Sequence, residues 1–546
     1  MIKEILEKIL NTLKKCCEKT HQNHKSDYQI RRQLFDILSK NNPNNIKEYD
    51  ISVLNEDKQD DFRQQDELFP RNEKWYLVCN KEDSKTDTLL LCDKIKDIPC
   101  NVIFNNCNID LRIDESKGMK KDNTETIKNC LYFYNCAFEK SLNLKNIIFE
   151  KTLTFNQCVF YNNLEIHQNQ FLDHLVFINC HDNQDKKITS LDLQENEFKG
   201  YFFIKNCAIE KINLWKNKFK NRCYFMDSVF GNKNNDNIKL NFSNAHFEDN
   251  AYFNNSEFYN YADFHECEFD DIACFYGVKF HKIPNFSQVV LKGNFNALNI
   301  TSNFVFDDLK KQIKQEYENF NKDIKEKQNK KPLDKFANDF RDSFRIFKNA
   351  LIKDNNLLDA SNFHKYELYC KEIELKNKKG KTFKDVVDRW QLLFYRKLCD
   401  HHTNLILNLK WFIVIVGFFT SILFGLRYGD GNLMQFFNKD SDLLKMLKNI
   451  LNIKALNDSN ATYLILLYSF IGLFFVRTFF IFYYLVIFIL MLAISPYNLF
   501  SMINFAIRHE TNSFLENIII IIYTLSIVLI IFSLQKTARK NSIVPS

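Results

Sequence analysis

At 546 residues the chain is long enough for several domains, and a formal charge of +7 is too small to argue for nucleic acid as a partner. Eleven glycines and seven prolines beside 54 phenylalanines exclude an ordinary many-turned globular core and point to a regular, repetitive one. The first segment carries Ile2, Ile5, Leu6, Ile9, Leu10 and Leu13 at helical spacing. That stripe belongs to an amphipathic helix packed on its own domain or, alternatively, on a membrane surface or partner. Its charges and the lack of a small-residue cleavage site argue against a secretory signal. Residues 1–99 are read as a helical capping region. Trp75-Tyr76-Leu77-Val78 and Leu89-Leu90-Leu91 are its strands, leading into the next domain and covering an edge that would otherwise invite aggregation.

Residues 100–300 repeat every 11 residues. From Leu240 the units are LNFSNAHFEDN, AYFNNSEFYNY, ADFHECEFDDI and ACFYGVKFHKI; an earlier block, from Leu131, keeps the same frame. Phe242, Phe247, Phe253, Phe258, Phe264, Phe269, Phe275 and Phe280 fall at gaps of five and six in alternation. That spacing suits neither a helix face nor one long strand. It suits short strand-like sides that each turn one bulky residue and one small neighbour inward, with polar residues outside. Roughly 15 units, two per turn of the chain, would stack to about 35 Å. Polar insertions at about 113–130, 182–190 and 231–239 read as loops leaving the stack.

Ala262-Asp263-Phe264, Ala245-His246-Phe247 and Cys267-Glu268-Phe269 resemble the A(D/N)LXX unit of pentapeptide-repeat proteins over residues 100–295, with one residue added in every second pentapeptide. The resemblance implies a right-handed β-helix and says almost nothing about function. Ten of the 16 cysteines lie between Cys100 and Cys274. Cys107, Cys136, Cys158, Cys180, Cys207 and Cys267 take the small inward slot, where neighbouring units carry Ser or Ala. They read as buried small hydrophobes in a reduced compartment, and no CxxC pair or His–Cys cluster suggests a metal.

Beyond the repeat, residues 301–400 are read as a cytoplasmic helical collar. Phe336, Phe340, Phe344, Phe347 and Leu351 mark one helix and Phe363, Tyr366, Tyr369 and Ile373 a second, capped by Asp359 or Ser361. Residues 305–384 hold 20 Lys/Arg against 14 Asp/Glu, a solvated face or one attracted to anionic head groups. Residues 401–546 form an all-α transmembrane domain. Apolar segments run over 405–426, 461–476, 478–494 and 515–534, the first and last each long enough to cross a bilayer. Lys397, Lys410, Lys536 and Arg539 flank them and place both termini in the cytoplasm. Four crossings satisfy this; a single tilted helix over 461–494 is the alternative. Arg477, the ionisable group amid these apolar residues, is the candidate functional residue of the membrane part, or else the end of a hairpin.

No Walker loop, GxSxG, HExxH or GxGxxG motif is present, so no catalytic residue, metal or cofactor is assigned. Asp400-His401-His402 reads as an interfacial polar cluster. Glu248, Asp249, Glu257, Asp263, Glu266, Glu268, Asp270 and Asp271 occur with no Lys or Arg from 240 to 278, a candidate interaction face. Some pentapeptide-repeat proteins mimic duplex DNA, but 101–300 holds 22 basic and 25 acidic residues, too balanced for a mimic. The expectation is a non-enzymatic protein of the bacterial inner membrane whose repeat domain binds a protein partner. The alternative is a homo-oligomeric ion channel gated through repeat and collar, since relatives with C-terminal spans look like channels.

Overall fold

Segments 22 residues apart lie side by side: Leu131 pairs with Leu153 and Leu153 with Leu175, and past an insertion Ala251 pairs with Ala273 and Ala273 with Phe295. Two 11-residue units therefore bring like side chains into register. The computed structural model describes residues 26–40, 42–43, 46, 49–71, 73–80, 88–114, 125–180, 188–322, 330–428, 482–486, 489 and 514–539. The 2–13 stripe, Arg477 and the 461–476 segment lie outside them. Two compact units divide at Asn356/Leu357, inside the 301–400 stretch read as a collar.

Among the described residues of the first unit the strands form sheets of 11, 12 and 8 members. All pair in parallel except β1 (Tyr49–Val53), which runs antiparallel along β2 (Trp75–Asn80). Each 22-residue turn gives one segment to the first sheet, two to the second and one to the third; Leu131–Tyr134, Ala137–Phe138, Leu142–Lys145 and Ile147–Phe149 make one such turn. The parallel stack begins at β2, continues through β3 (Thr88–Leu91) and carries on from Asn101. Two of the expected insertions are shorter than sequence suggests, because Glu125–Ile127 pairs with Ile147–Phe149 and Ile188 with Phe160.

The alternating gaps have a backbone cause. Asn135, Gln157, Asn179, Asn206, Asp227 and Asn255 adopt the left-handed conformation at one corner, and Asn146, Gln168, Glu195, Lys216, Asn244 and Glu266 at another, with φ of 50–58°. A gap of five crosses such a corner, as from Phe133 over Asn135 to Phe138; a gap of six, as from Phe138 to Leu144, crosses the other kind. Asn tolerates this conformation better than most L-residues, which lets the chain turn so often with so few glycines.

Inside, the rings stack at the strand spacing. Phe149, Phe171, Phe198, Phe219, Phe247 and Phe269 form one column with successive centroids 4.7–5.0 Å apart. Phe225, Phe253 and Phe275 form a second at 4.6 and 4.5 Å, and Phe242, Phe264 and Phe286 a third at 4.5 and 4.6 Å. Phe242, Phe247, Phe253, Phe258, Phe264, Phe269, Phe275 and Phe280 are all at most 3% exposed.

The small slots hold two different columns. At one corner Cys136, Cys158, Cys180 and Cys207 are buried, each thiol donating to a carbonyl one turn back (Phe104, Phe133, Phe155 and Phe177, at 3.2–3.6 Å). Ser256 continues the column, its hydroxyl donating to the Phe225 carbonyl at 2.6 Å. At the other corner stand Asn169, Asn196 and Asn217, which sequence reasoning did not place inside. Asn196 Nδ2 donates to the Ile166 carbonyl (2.7 Å) and to Asn217 Oδ1 (3.0 Å), while its own Oδ1 accepts from Asn169 N (2.9 Å) and Nδ2 (3.2 Å). The described cysteines are all free thiols.

Both open edges of the stack are covered. On the N-terminal side, after α1 (26–40), β1 pairs with β2 across α2 (Glu56–Gln65), and the Asn42 carboxamide bonds both the N–H and the carbonyl of Leu90 at 2.7 and 3.0 Å. On the C-terminal side α3 (Phe306–Asn321) sends Gln312 to the N–H and carbonyl of Ile283, and in α4 (Leu333–Lys353) Ser343 Oγ accepts from Phe286 N at 2.7 Å. Phe347 of α4 packs edge-on against Phe286 and Phe295, at 4.9 and 5.4 Å.

This cap contains a titrating group. Burial raises the Glu316 carboxyl to about 7, against the pull of Lys239 and Lys282 and helped by Asp263. The folded state thus holds a proton that the unfolded chain releases near 4.5, so stability falls as pH rises from about 4.5 to 7. Glu316→Gln is expected to remove that decline and stabilise the protein at pH 8 by about 2–3 kcal/mol. Melting curves of the full chain in neutral detergent at pH 5 and 8 would check it; parallel pH profiles for both proteins refute it.

The second unit contains α5 (Leu357–Asn377), α6 (Phe383–Cys399), α7 (Leu405–Tyr428) and α8 (Phe514–Ala538). Phe363, Tyr366, Tyr369 and Ile373 are buried on α5, but the helix starts earlier than expected and Ser361 sits inside it, bonding the Leu358 carbonyl rather than capping. Helices α7 and α8 are long and apolar enough to cross a membrane. They run antiparallel: Asn408 near the start of α7 bonds Ser533 and Thr537 near the end of α8, while Phe419 further along meets Tyr523 at 5.3 Å. Within 478–494 only 482–486 and 489 are described, as helix. There Tyr484 packs so closely on Gly417 that a Cβ would lie 2.9 Å from its ring.

Candidate functional site

The five residues between α6 and α7 carry the most strained backbone described in the second unit. Helix α6 begins with a capping box between Thr382 and Asp385 and ends at buried Cys399. Asp400, His401 and His402 then follow one another in the left-handed region, at φ of 51, 53 and 68°. Three such residues in a row, none a glycine, cost on the order of 1–2 kcal/mol each and persist only where the surroundings hold them. The holding groups come from α5. Tyr369 donates to Asp400 Oδ1, Lys365 pairs with Asp400 at 3.5 Å, and Glu372 takes a bidentate bond from Arg396 at 2.7 and 3.0 Å. On the far side Asn404 Oδ1 accepts from Leu407 N at 2.9 Å and starts α7.

This backbone turns two imidazoles inward. His401 is 2% exposed, and burial, with Arg396 and the neighbouring histidines adding to it, lowers its pKa to about 3. Its Nε2 is buried and has no hydrogen-bond partner among the described residues. Burial and the Lys536 charge hold His402 at about 4, so both rings are neutral at pH 7. His402 Nδ1 lies 3.4 Å from Ser533 Oγ, 3.5 Å from Thr537 Oγ1 and 3.5 Å from Cys399 Sγ. The Cys399–His402 contact has the spacing of a nucleophile–base pair but the opposite electrostatics. Burial pushes the thiol up and the imidazole down, so the ion pair that activates a cysteine is disfavoured. Asn408 is fully buried in the same seam. Beside these rings lies a cleft of ≈ 490 Å³ whose polar wall includes His364, Lys371, His401, His402, Ser533 and Lys536.

The sequence-predicted acidic residues do not gather in one place. Glu257 lies on the 12-stranded sheet and pairs with Lys279 and His281, at 2.8 and 2.6 Å. Asp263 lies on that sheet too, nearly buried, against Lys239 at 2.7 Å. Glu268 and the adjoining Asp270 lie by the 8-stranded sheet with Lys292, at 2.5 and 2.9 Å. Glu266 sits at a left-handed corner, Asp249 reaches Arg222 at 4.0 Å, and Glu248 and Asp271 are exposed. The basic residues missing from 240–278 thus arrive from adjacent turns. His246, Glu268 and Asp270 bring ligand atoms within 4.8 Å of one another. The Lys292 ammonium already supplies the positive charge there. Arg477 lies outside the described residues.

The Asn408–Ser533–Thr537 seam escaped the sequence analysis, which weighed only charged residues within apolar segments. Small polar residues at one end of two apolar helices were the available signal. No family model, curated protein or solved structure matches the chain.

Proposed function

We propose that the chain is a membrane-tethered binding scaffold without enzymatic activity. In this reading residues 75–300 form a right-handed, four-sided β-solenoid of the pentapeptide-repeat kind. It stands on the cytoplasmic side of a bacterial inner membrane and offers its rigid outer faces to a protein partner. The observation that carries it is the pairing, in one chain, of a stack filled by phenylalanine columns with helices whose apolar side chains face outward. Phe514 is 82% and Phe532 65% exposed on α8, with Leu525 and Ile521 close behind. Water would not tolerate a helix so clothed, and a bilayer would. Helix α6 adds an apolar stripe of Phe383, Val387, Trp390 and Phe394 just before α7, suited to the head-group boundary. Lys410 and Lys536 lie toward the same end of the antiparallel pair, which favours that end on the cytoplasmic side.

The test is fractionation of the full chain. It is expected to remain in the membrane pellet through alkaline carbonate, with the repeat domain cut by protease only from the cytoplasmic face. Release by carbonate would overturn the membrane reading. Unitary currents from the purified protein in planar bilayers would replace the scaffold with a channel.

A further inference from the structure

We infer that the cleft beside the α6–α7 connection is a binding site for one anionic phospholipid. The inference rests on the membrane reading above and names a ligand for that part of the chain. The cleft lining is chemically mixed. Lys371 on α5 and Lys536 on α8 bring ammonium groups to it together with the two neutral imidazoles. Leu529 and Phe532, two turns and one turn before Lys536 on α8, add apolar surface, and both are substantially exposed. A ligand matching both kinds of surface must carry negative charge and hydrocarbon.

His401 supplies the independent sign of a ligand. A buried imidazole nitrogen without a partner is costly, and His401 reaches that position only through three consecutive left-handed residues. With its proton on Nε2, the neutral ring donates to a phosphate oxygen in the cleft. Lys536 has no ion-pair partner among the described residues, whereas Lys371 is shared with Glu374 at 2.8 Å. Asp388 is the carboxylate on the cleft wall and trims the charge to suit a monoanion. Basic pockets beside membrane helices are where acidic head groups settle.

Full-length protein in neutral detergent would be titrated with short-chain phosphatidylglycerol, short-chain phosphatidylcholine and inorganic phosphate, followed by native mass spectrometry. Phosphatidylglycerol is expected to bind at least about tenfold tighter than phosphatidylcholine, with no saturable phosphate binding over the same range. Lys536→Gln combined with Lys371→Gln should erase the preference, while Lys310→Gln, at an exposed position of α3 outside the cleft lining, should keep it. Matched melting temperatures without lipid would show that the variants fold. Equal binding of the two lipids, or a preference surviving the double variant, overturns the site. Phosphate binding as tightly as phosphatidylglycerol would make it a free-anion site and overturn the lipid assignment. A chain that resists carbonate yet shows no lipid preference sinks this inference alone; a chain released by carbonate sinks the membrane reading as well.

Discussion

Asn196→Ala is expected to destabilise the stack by about 3–5 kcal/mol, as much as removing a large apolar core side chain. Its carboxamide is buried and makes four hydrogen bonds. Truncation takes these partners from the Asn169 N–H and the Ile166 carbonyl in a site water does not reach, while Asn217 Oδ1 keeps the Asn196 N–H, and each group so stripped costs about 1–3 kcal/mol. Asn196→Leu should recover little, because filling the volume does not satisfy those groups. Asn234→Ala, in an exposed turn, should stay within about 0.5 kcal/mol. Denaturant unfolding followed by the β-sheet circular dichroism signal would measure all three. A loss below about 1 kcal/mol for Asn196→Ala would show that the column is dispensable.

The second large effect belongs to the rings. Phe253 lies between Phe225 and Phe275, at 4.6 and 4.5 Å, with the edge of Phe264 at 5.5 Å. Phe253→Ala is expected to cost about 3–5 kcal/mol, since the neighbours are held by their own ladders and close only partly over the gap. Phe253→Leu should cost less than about 2 kcal/mol. Because each turn touches only the turns beside it, hydrogen exchange should quicken most around 225 and 275 and least near 104. Uniform quickening over the whole stack would contradict the nearest-turn picture.

How much of this was legible in the sequence follows from what each residue type advertises. Phenylalanine at gaps of five and six has no other good use, so the inward columns could be read directly. The corners could not, because an asparagine at a left-handed corner, such as Asn135, and one buried in a carboxamide column, such as Asn196, look alike as letters. The acidic stretch misled for a related reason. Neighbours in sequence are carried around corners onto different sides, while the real neighbours of Glu257 and Asp263 are Lys279 and Lys239, one turn away. At the base of α7 the histidines were visible, but nothing in Asp400-His401-His402 announces three left-handed residues. Their setting depends on Tyr369, Glu372 and Ser533 from two other helices.

The two corner columns also restrict how such a chain can lengthen. Over the middle turns thiols and hydroxyls stack at one corner, from Cys136 to Ser256, and carboxamides at the other, from Asn169 to Asn217, before Ala245 and Cys267 take that corner over. A duplication of 22 residues within those middle turns therefore adds a storey in which each group meets its own kind. A duplication of 11 would rotate the upper part by half a turn, setting Asn beneath Cys and presenting the wrong side to α3 and α4. Growth is therefore quantised in double units, although the letters repeat in single ones.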